Sequence, residues 1–275
     1  MNIVCLENYS KMKNLKILIV EGNLQEENQS FTDGGIKTHT ESLKDSINYF
    51  TNEIEIDVAN PSSDKNINER VQELSKYDGM IWGGSSLNIY NDTIEIRRQL
   101  DFMRECQKKI KNILAICWGM QVAVTVAGGT VKKCLNGAHR GIAHQIKINE
   151  QGLNHPLYKN KDRVFNTPAF NFDEVSTLPK GATLLASNEI NKVMGLYFKA
   201  GESNIWGIQY HPEITYDKMI SLIHFRTDRL LNNKAFADQN EIDEHVKVIE
   251  AENKVTNKDS RMKELENWLS IFKNK

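Results

Sequence analysis

An apolar run that ends in a cysteine and continues into a helical pattern constrains this chain more than any other stretch. Residues 113–116 are Ile-Leu-Ala-Ile, Cys117 follows them, and helical spacing covers residues 121–127. A short apolar run between polar residues is typical of a buried strand in a parallel sheet. Cys117 is therefore predicted to lie on a sharp strand-to-helix turn. There, amide groups at the helix N-terminus favour a thiolate and can bind an oxyanion.

Its position at this turn does not by itself make Cys117 a nucleophile, because most free cysteines are small buried hydrophobic residues. Two features favour a nucleophilic role. Gly119 permits close approach at the turn, and a histidine follows another apolar run, residues 204–210. In the extended sequence His211-Pro212-Glu213, side chains two positions apart point the same way, and the proline keeps its neighbour extended. His211 is predicted to be a base and Glu213 the carboxylate that orients it, although the tripeptide alone would usually be a loop.

Three motifs occur in order along the chain. They are Gly-Met-Ile-Trp-Gly-Gly-Ser-Ser at 79–86, Cys-Trp-Gly-Met-Gln at 117–121 and Gly-Ile-Gln-Tyr-His-Pro-Glu at 207–213. Together they resemble the signatures of the class I, triad-type glutamine amidotransferases. The resemblance spans residues 16–225 and is greatest to stand-alone proteins similar to the amidotransferase domain of GMP synthase.

The resemblance implies a glutamine-cleaving site without a metal or a cofactor. Cys117 would attack the side-chain amide and form a γ-glutamyl thioester, with His211 and Glu213 completing a catalytic triad. The backbone amide of Trp118 and that of Gly84 or Ser85 would form the oxyanion hole. Losing one such donor typically costs about two to three orders of magnitude in rate.

The resemblance also implies which residues bind the substrate. Gln121 matches the position that contacts the α-amino or carboxylate group, and Gly119 lies beside it. The backbone around Asn171 and Phe172 usually helps to hold the amino-acid end. Relatives similar to GMP synthase usually carry histidine at the position of Asn171, which puts the ligand preference of this segment in question.

Composition excludes several other functions. The 35 Lys and Arg nearly balance the 36 Asp and Glu, so neither nucleic acid nor an anionic membrane is an expected partner. Cys5, Cys106, Cys117 and Cys134 form no CxxC pair, which favours a reduced, cytoplasmic protein without a metal framework. No apolar run reaches the ~18 residues of a membrane span. Residues 1–13 lack the apolar core of a secretory signal.

Apolar strands alternate with amphipathic helices through residues 16–127, which predicts a mostly parallel, doubly wound α/β sheet with helices on both faces. The resemblance implies the flavodoxin-like fold of class I glutamine amidotransferases. Shorter strands after residue 130 predict antiparallel hairpins that return His211 to the site. We expect an N-terminal tail at 1–13, an amidotransferase-like domain at 14–232 and a helical extension at 233–275.

Two segments have no assigned role. Residues 21–37 show no periodicity and are predicted to be a long loop. Such a loop would cover the active site or shape a second-substrate site. A mobile surface loop is at least as good an interpretation. Within residues 262–272, an apolar stripe at helical spacing needs a surface to pack on. Packing on its own domain is preferred over a homo-oligomer formed through this helix.

The leading hypothesis for function is hydrolysis of glutamine to glutamate and ammonia. The chain has neither a P-loop nor a Ser-Gly-Gly-x-Asp-Ser stretch, so ammonia would pass to a separate synthase. The first alternative is a hydrolase or transferase acting on a γ-glutamyl peptide or amide. A catalytically silent binding protein is a further alternative, which the complete triad argues against.

Overall fold

The structure of the protein, a computed structural model, describes residues 15–273. The predicted tail at 1–13 and Cys5 lie outside the described residues. Eleven strands and eleven α-helices are formed in this part of the chain. They are β1 (Leu15–Val20), α1 (Gln25–Asp33), α2 (His39–Phe50), β2 (Ile54–Ala59), α3 (Ile67–Gln72), β3 (Gly79–Trp82), α4 (Ile94–Lys109), β4 (Asn112–Ile116), α5 (Trp118–Val126), β5 (Thr130–Lys133), β6 (His139–Ile148), α6 (Glu150–Leu153), β7 (Val164–Asn171), β8 (Asp173–Thr177), β9 (Thr183–Ser187), β10 (Gly195–Ala200), β11 (Ser203–Ile208), α7 (Tyr216–Phe225), α8 (Thr227–Asn232), α9 (Gln239–Val255), α10 (Lys258–Arg261) and α11 (Lys263–Leu269).

Nine strands form one sheet in the order β2-β1-β3-β4-β11-β10-β9-β6-β7. The first five are mutually parallel, and the order β2-β1-β3-β4-β11 is that of a flavodoxin-like doubly wound sheet. The remaining neighbours are antiparallel, and β5 pairs with β8 in a separate ribbon. The predicted fold class, a mostly parallel sheet with added hairpins, is confirmed.

Helices cover both faces of the sheet because successive strand residues point to opposite sides. In β1, Ile17 and Ile19 pack with α2 and the C-terminal α11, whereas Leu18 and Val20 pack with α4 and α5. The parallel pairing of β4 with β11 places their carboxyl ends side by side. Cys117 and His211 follow those two ends, so the fold brings the two predicted residues to one edge.

The prediction that residues 21–37 lack regular structure is wrong, because α1 spans nine of them. The helix is polar, Phe31 is its one buried residue, and no side chain caps its N-terminus. A single buried position gives no periodicity to detect.

Strand β7 was not predicted either, because Pro168 interrupts the pattern; proline is tolerated here since β7 lies at the edge of the sheet. The sequence pattern predicts one helix over residues 214–231, but the structure has two, α7 and α8, which meet at Arg226.

The apolar stripe of residues 262–272 packs on the protein's own core. It consists of Met262, Leu265, Trp268, Leu269 and Phe272, each at most 1% exposed. The preferred expectation is confirmed, and the stripe is not free to bind a second copy of the chain. No helix in the described residues is long and apolar enough to cross a membrane.

Candidate active site

Cys117 is the hinge between β4 and α5. Its backbone has φ 53° and ψ −105°, a left-handed conformation that a non-glycine residue adopts only under strain. Its N–H donates to the carbonyl of Ile208 at the end of β11, at 2.7 Å. The residue is 4% exposed. The predicted strand-to-helix turn is present, and the sulfur lies in a cavity at the carboxyl ends of the strands.

Gly119 is required by this turn. A Cβ at this position would overlap the carbonyl oxygen of Trp82 in β3. The Gly119 N–H also donates to the carbonyl of Gly83 at 3.2 Å. Because the obstacle is backbone, no side-chain movement can relieve it, and the close approach predicted for this glycine is observed.

His211 and Glu213 form a buried hydrogen-bonded pair. The distance from His211 Nδ1 to Glu213 Oε1 is 2.7 Å, and the two residues are 2% and 3% exposed. The backbone N–H of His211 donates to the carbonyl of Pro168 in β7 at 2.8 Å, which fixes the histidine against the antiparallel part of the sheet. The structure therefore brings together the three residues that the sequence selected.

The electrostatics of this group favour an imidazolium. Burial lowers the pKa of His211, but the charges of Glu213 and Cys117 and hydrogen bonds to both outweigh burial and raise it to about 10. The pKa of Glu213 is depressed: burial opposes ionisation, and the neighbouring imidazole overcomes that penalty.

His39 lies at the site, although its polar sequence surroundings without ligand spacing predict an ordinary surface or core role. It is the first residue of α2, and its ring stacks on that of His211 with centroids 5.3 Å apart and planes at 25°. Its Nδ1 lies 4.0 Å from Glu213 Oε1, beyond hydrogen-bond range, and has no partner in the described residues. Burial, helped by the charges of Lys218 and His211, lowers its pKa against the raising effect of Glu213, which favours the neutral form of His39. Nothing in the local sequence marks it.

Gln209 was also missed, although it lies within the quoted motif. Its Nε2 donates to the Cys117 sulfur at 3.4 Å, and its Oε1 accepts from Gln121 Nε2 at 3.4 Å. The two side chains form a polar link from the cysteine to the wall of the cavity. Gln121, predicted to bind substrate, is 3% exposed and lines the cavity.

The three candidate oxyanion donors have different surroundings. Ser85 and Trp118 line the cavity with Cys117, and neither backbone N–H donates to another described residue. Gly84 instead faces the histidines, and a Cβ there would lie 2.8 Å from Cε1 of both His39 and His211. The backbone N–H of Gly84 likewise donates to no described residue, so only the cavity lining, which includes Ser85 and not Gly84, separates the two candidates for the second donor.

The cavity has a volume of about 310 Å³. Phe172 and Asn171, which the resemblance implies as substrate-binding residues, contribute to its wall. The Asn171 side chain is held internally: its Oδ1 lies 2.9 Å from His139 Nδ1, and its Nδ2 donates to the carbonyl of Asp173 at 3.0 Å. Only its remaining surface and its backbone face a ligand. Burial lowers the pKa of His139 to about 4. The sequence surroundings of this residue predict a surface or satisfied core role, and in the structure it is a buried, hydrogen-bonded histidine.

Helix α1 supports the glycine-rich turn. Glu27 Oε1 accepts from Ser86 Oγ and from Arg226 Nη2, both at 2.7 Å. Asn23 Oδ1 accepts from the Ser86 N–H at 3.0 Å. Residues 21–37 therefore buttress the turn that carries the candidate oxyanion donors.

The C-terminal helices hold the segment around His211. Arg261 of α10 donates to the carbonyls of Pro212 and, at 2.8 Å, Ile214. Glu264 of α11 accepts from the Tyr210 hydroxyl at 2.7 Å and pairs with Lys161 at 3.1 Å. We call Arg261 and Glu264 the C-terminal clamp. It restrains the backbone on both sides of the histidine.

His39, His211 and Glu213 also present ligand atoms within 4.8 Å of one another, close enough for one metal ion. A metal there would have to displace the hydrogen bond between His211 and Glu213. The group is better suited to orienting an imidazole than to binding an ion.

The family model described as "Glutamine amidotransferase class-I" matches residues 36–226. The γ-glutamyl-L-1-hydroxyisopropylamide hydrolase of a Pseudomonas species is 29% identical over 207 residues, which cover 74% of this chain and 69% of that protein. The γ-glutamyl peptidase 3 of Arabidopsis thaliana is 32% identical over 174 residues, 61% of this chain and 67% of the relative. A glutamine-hydrolysing GMP synthase subunit of Archaeoglobus fulgidus is 26% identical over 152 residues, 54% and 73% of the two chains.

A solved structure shares the fold. A glutamine amidotransferase from Thermotoga maritima superposes with a TM-score of 0.66 at 19% identity, covering 95% of this chain and 99% of the other.

Proposed function

Because the chain belongs to the class I glutamine amidotransferase family, we propose that it is a cysteine-dependent amidohydrolase that cleaves the γ-glutamyl C–N bond of glutamine or of a γ-glutamyl amide. The observation that carries this proposal is the meeting of Cys117, His211 and Glu213 at one sheet edge, with the cysteine in a cavity. Separate pieces of sequence supply the three residues, and a purely structural role would not need them together.

In the first half-reaction, the Cys117 thiolate attacks the amide carbonyl carbon. The negative charge that develops on the carbonyl oxygen is bound by the N–H groups of Trp118 and Ser85. The C–N bond then breaks as the His211 imidazolium gives its proton to the departing nitrogen. A γ-glutamyl thioester and free ammonia or amine result, and His211 is neutral.

In the second half-reaction, neutral His211 takes a proton from water, and the hydroxide formed attacks the thioester carbonyl. The C–S bond breaks, regenerating the thiolate beside an imidazolium and releasing the γ-carboxylic acid, which gives its proton to the solvent or to the free amine and becomes the carboxylate. Glu213 stabilises that imidazolium and keeps the proton on Nδ1, so that Nε2 faces the reaction. Glutamine or a γ-glutamyl amide plus water thus gives glutamate plus ammonia or the amine.

The size of the cavity bears on the leaving group. A volume of about 310 Å³ falls at the lower end of the roughly 300–1,000 Å³ typical of pockets for drug-sized ligands. It has room for more than a glutamyl group, which favours hydrolysis of a γ-glutamyl compound as a second candidate function. The matched hydrolase and peptidase relatives support the same reading.

The relatives named as GMP synthase subunits support another arrangement, in which a separate synthase accepts the ammonia. Purification under mild conditions, followed by mass spectrometry of co-eluting ATP-dependent enzymes, tests for that partner. The expected cytoplasmic location, the domain limits at 14–232 and 233–275, and a homo-oligomer remain proposals. With the C-terminal stripe buried, a homo-oligomer would need another surface.

The test of the proposed function uses glutamine and a set of γ-glutamyl amides, with release of glutamate as the readout. Wild type should release glutamate from at least one, and Cys117→Ser should release none while keeping its thermal unfolding temperature. An acid quench of wild type should reveal the protein carrying one γ-glutamyl group. The matched control is Cys134→Ser, since Cys134 lies outside the cavity lining. Full activity in Cys117→Ser would refute the assignment, and inactivity of wild type toward every substrate would favour the silent binding protein.

A further inference from the structure

The cavity beside Cys117 has one acidic end. Asp173 is the only carboxylate among the described residues that line it. Its oxygens accept from Asn88 Nδ2 at 2.8 Å and from the Tyr90 hydroxyl at 3.0 Å, so the carboxylate is held in place. A glutamyl group carries an α-ammonium that needs such a partner, because burying a charge without one is costly.

A lysine lies next to this carboxylate. Lys133 of β5 is paired in register with Asp173 of β8, is exposed and also lines the cavity. Within residues 15–273 its side chain makes no hydrogen bond or close ion pair, but its charge lowers the pKa of Asp173 against the raising effect of burial. Side by side, Asp173 and Lys133 match the α-ammonium and α-carboxylate of one amino acid.

Two arginines also line the cavity. Arg226 is already compensated, since its Nη2 contacts Glu27 at 2.7 Å and Ser86 at 2.5 Å. Arg229, one turn further along α8, is exposed and has no carboxylate within 4.0 Å among the described residues. Glu27 is the single carboxylate paired with this cluster. Asp173 and Lys133 are assigned to the glutamyl group, and Glu27 is paired with Arg226. The positive charge of Arg229 is therefore left without a close carboxylate.

Resting on the proposed function, we propose that Arg229 binds a carboxylate on the leaving group, so that the substrates are γ-glutamyl derivatives of amino acids or short peptides with a free carboxylate. The planar guanidinium offers paired N–H donors that suit a carboxylate. Glutamine itself lacks a group for this subsite, because its leaving group is ammonia. The proposed function is thereby narrowed to one class of γ-glutamyl compound.

The test compares γ-glutamylglycine with γ-glutamylglycinamide, which differ only in the carboxylate. Wild type should favour γ-glutamylglycine in kcat/KM by about tenfold, the scale of one hydrogen bond to a charged group. Arg229→Gln should reduce that ratio to near one. Arg229→Glu should reverse it and favour a substrate with a cationic leaving group, γ-glutamylethylenediamine.

Two other variants separate the subsites. Lys133→Gln should lower kcat/KM for both glycine substrates by the same factor, because it contacts the shared glutamyl group. Arg104→Gln is the matched arginine control: this residue pairs with Asp101 on the exposed side of α4 and lies outside the cavity lining. It should keep the wild-type ratio.

The outcomes distinguish the two proposals. Equal cleavage of both glycine substrates by wild type would overturn the leaving-group subsite and leave the proposed function standing. An equal loss for both substrates in Arg229→Gln would also overturn it, since Arg229 would then hold the glutamyl carboxylate. Cleavage of glutamine alone would overturn only the leaving-group subsite. Failure of wild type on glutamine and on every γ-glutamyl amide of the set would overturn the proposed function itself.

Discussion

The imidazole of His39 lies stacked on that of His211, with ring centroids 5.3 Å apart. The two rings have opposite electrostatic environments: burial lowers the pKa of His39, whereas Glu213 and Cys117 raise that of His211 against the effect of burial. The ring of His39, for which the neutral form is favoured, therefore packs against the charged ring of His211. His39 belongs to α2, so this helix takes part in positioning the candidate base.

We expect His39→Ala to lower kcat by about 10- to 100-fold, the range that a small misplacement of a catalytic group can produce. KM should change little, because His39 is not among the residues lining the substrate cavity. His39→Asn, which restores a polar nitrogen, should recover part of the loss. Exposed His144 is the control, and His144→Ala should behave as wild type. A rise in KM with unchanged kcat would contradict the positioning role.

The pKa of His211 predicts a charged imidazole across neutral pH. Its raised pKa stabilises the folded protein fully below the unfolded value of 6.5, and this contribution is lost as pH rises through about 10. Cys117→Ala removes one of the groups that raise the value, so His211 should titrate at lower pH. Ring-proton chemical shifts measured by NMR against pH test this. Cys134→Ser should titrate like wild type, and an unchanged midpoint in Cys117→Ala would exclude the sulfur as a partner.

Gly119 and Gly83 form a matched pair of glycines. Gly119→Ala drives a Cβ into the carbonyl of Trp82, so we expect about 1–3 kcal/mol of destabilisation and a displaced Cys117. At Gly83 an added Cβ meets its nearest neighbours at 3.4 and 3.5 Å, ordinary contact distances. Urea unfolding should show the larger loss for Gly119→Ala. Equal losses would mean that the turn relaxes more easily than its geometry indicates.

The C-terminal clamp predicts an effect of Arg261 on turnover. Arg261→Met removes the hydrogen bonds to the carbonyls of Pro212 and Ile214, so kcat should fall by about tenfold or more, with a smaller change in KM. Arg261→Lys keeps a donor and should recover part of kcat. Lys258 on the same helix packs over the Tyr49 ring, and Lys258→Met is the control. Lower stability with normal kcat in Arg261→Met would show a structural role alone.

The sequence predicted the parallel part of the fold because buried strands leave continuous apolar runs, as residues 113–116 do. It also predicted that Cys117 and His211 would meet, since carboxyl ends of parallel strands share an edge. The edge strand β7 was hidden by Pro168, and α1 by the lack of a second buried position.

The parts of the site that were missed depend on tertiary contacts. His39 begins a helix whose local sequence is that of an ordinary capped N-terminus, with Thr38 and Glu41 as the capping box. Its importance arises only where α2 packs beside His211. In the sequence, Arg229 is likewise one charged residue of a polar helix, and only the tertiary structure places it at the cavity. Such residues carry no signal in spacing or periodicity.

The C-terminal clamp has a consequence for the nascent chain. Arg261 and Glu264 emerge from the ribosome after every other residue of the candidate site, a delay of several seconds at the ~5–20 residues per second of synthesis. Until then, the backbone on either side of His211 lacks the restraints that the clamp supplies. A partly synthesised protein can assemble its parallel strands and still hold a poorly aligned base. The candidate site is therefore completed only after the last helices have been translated.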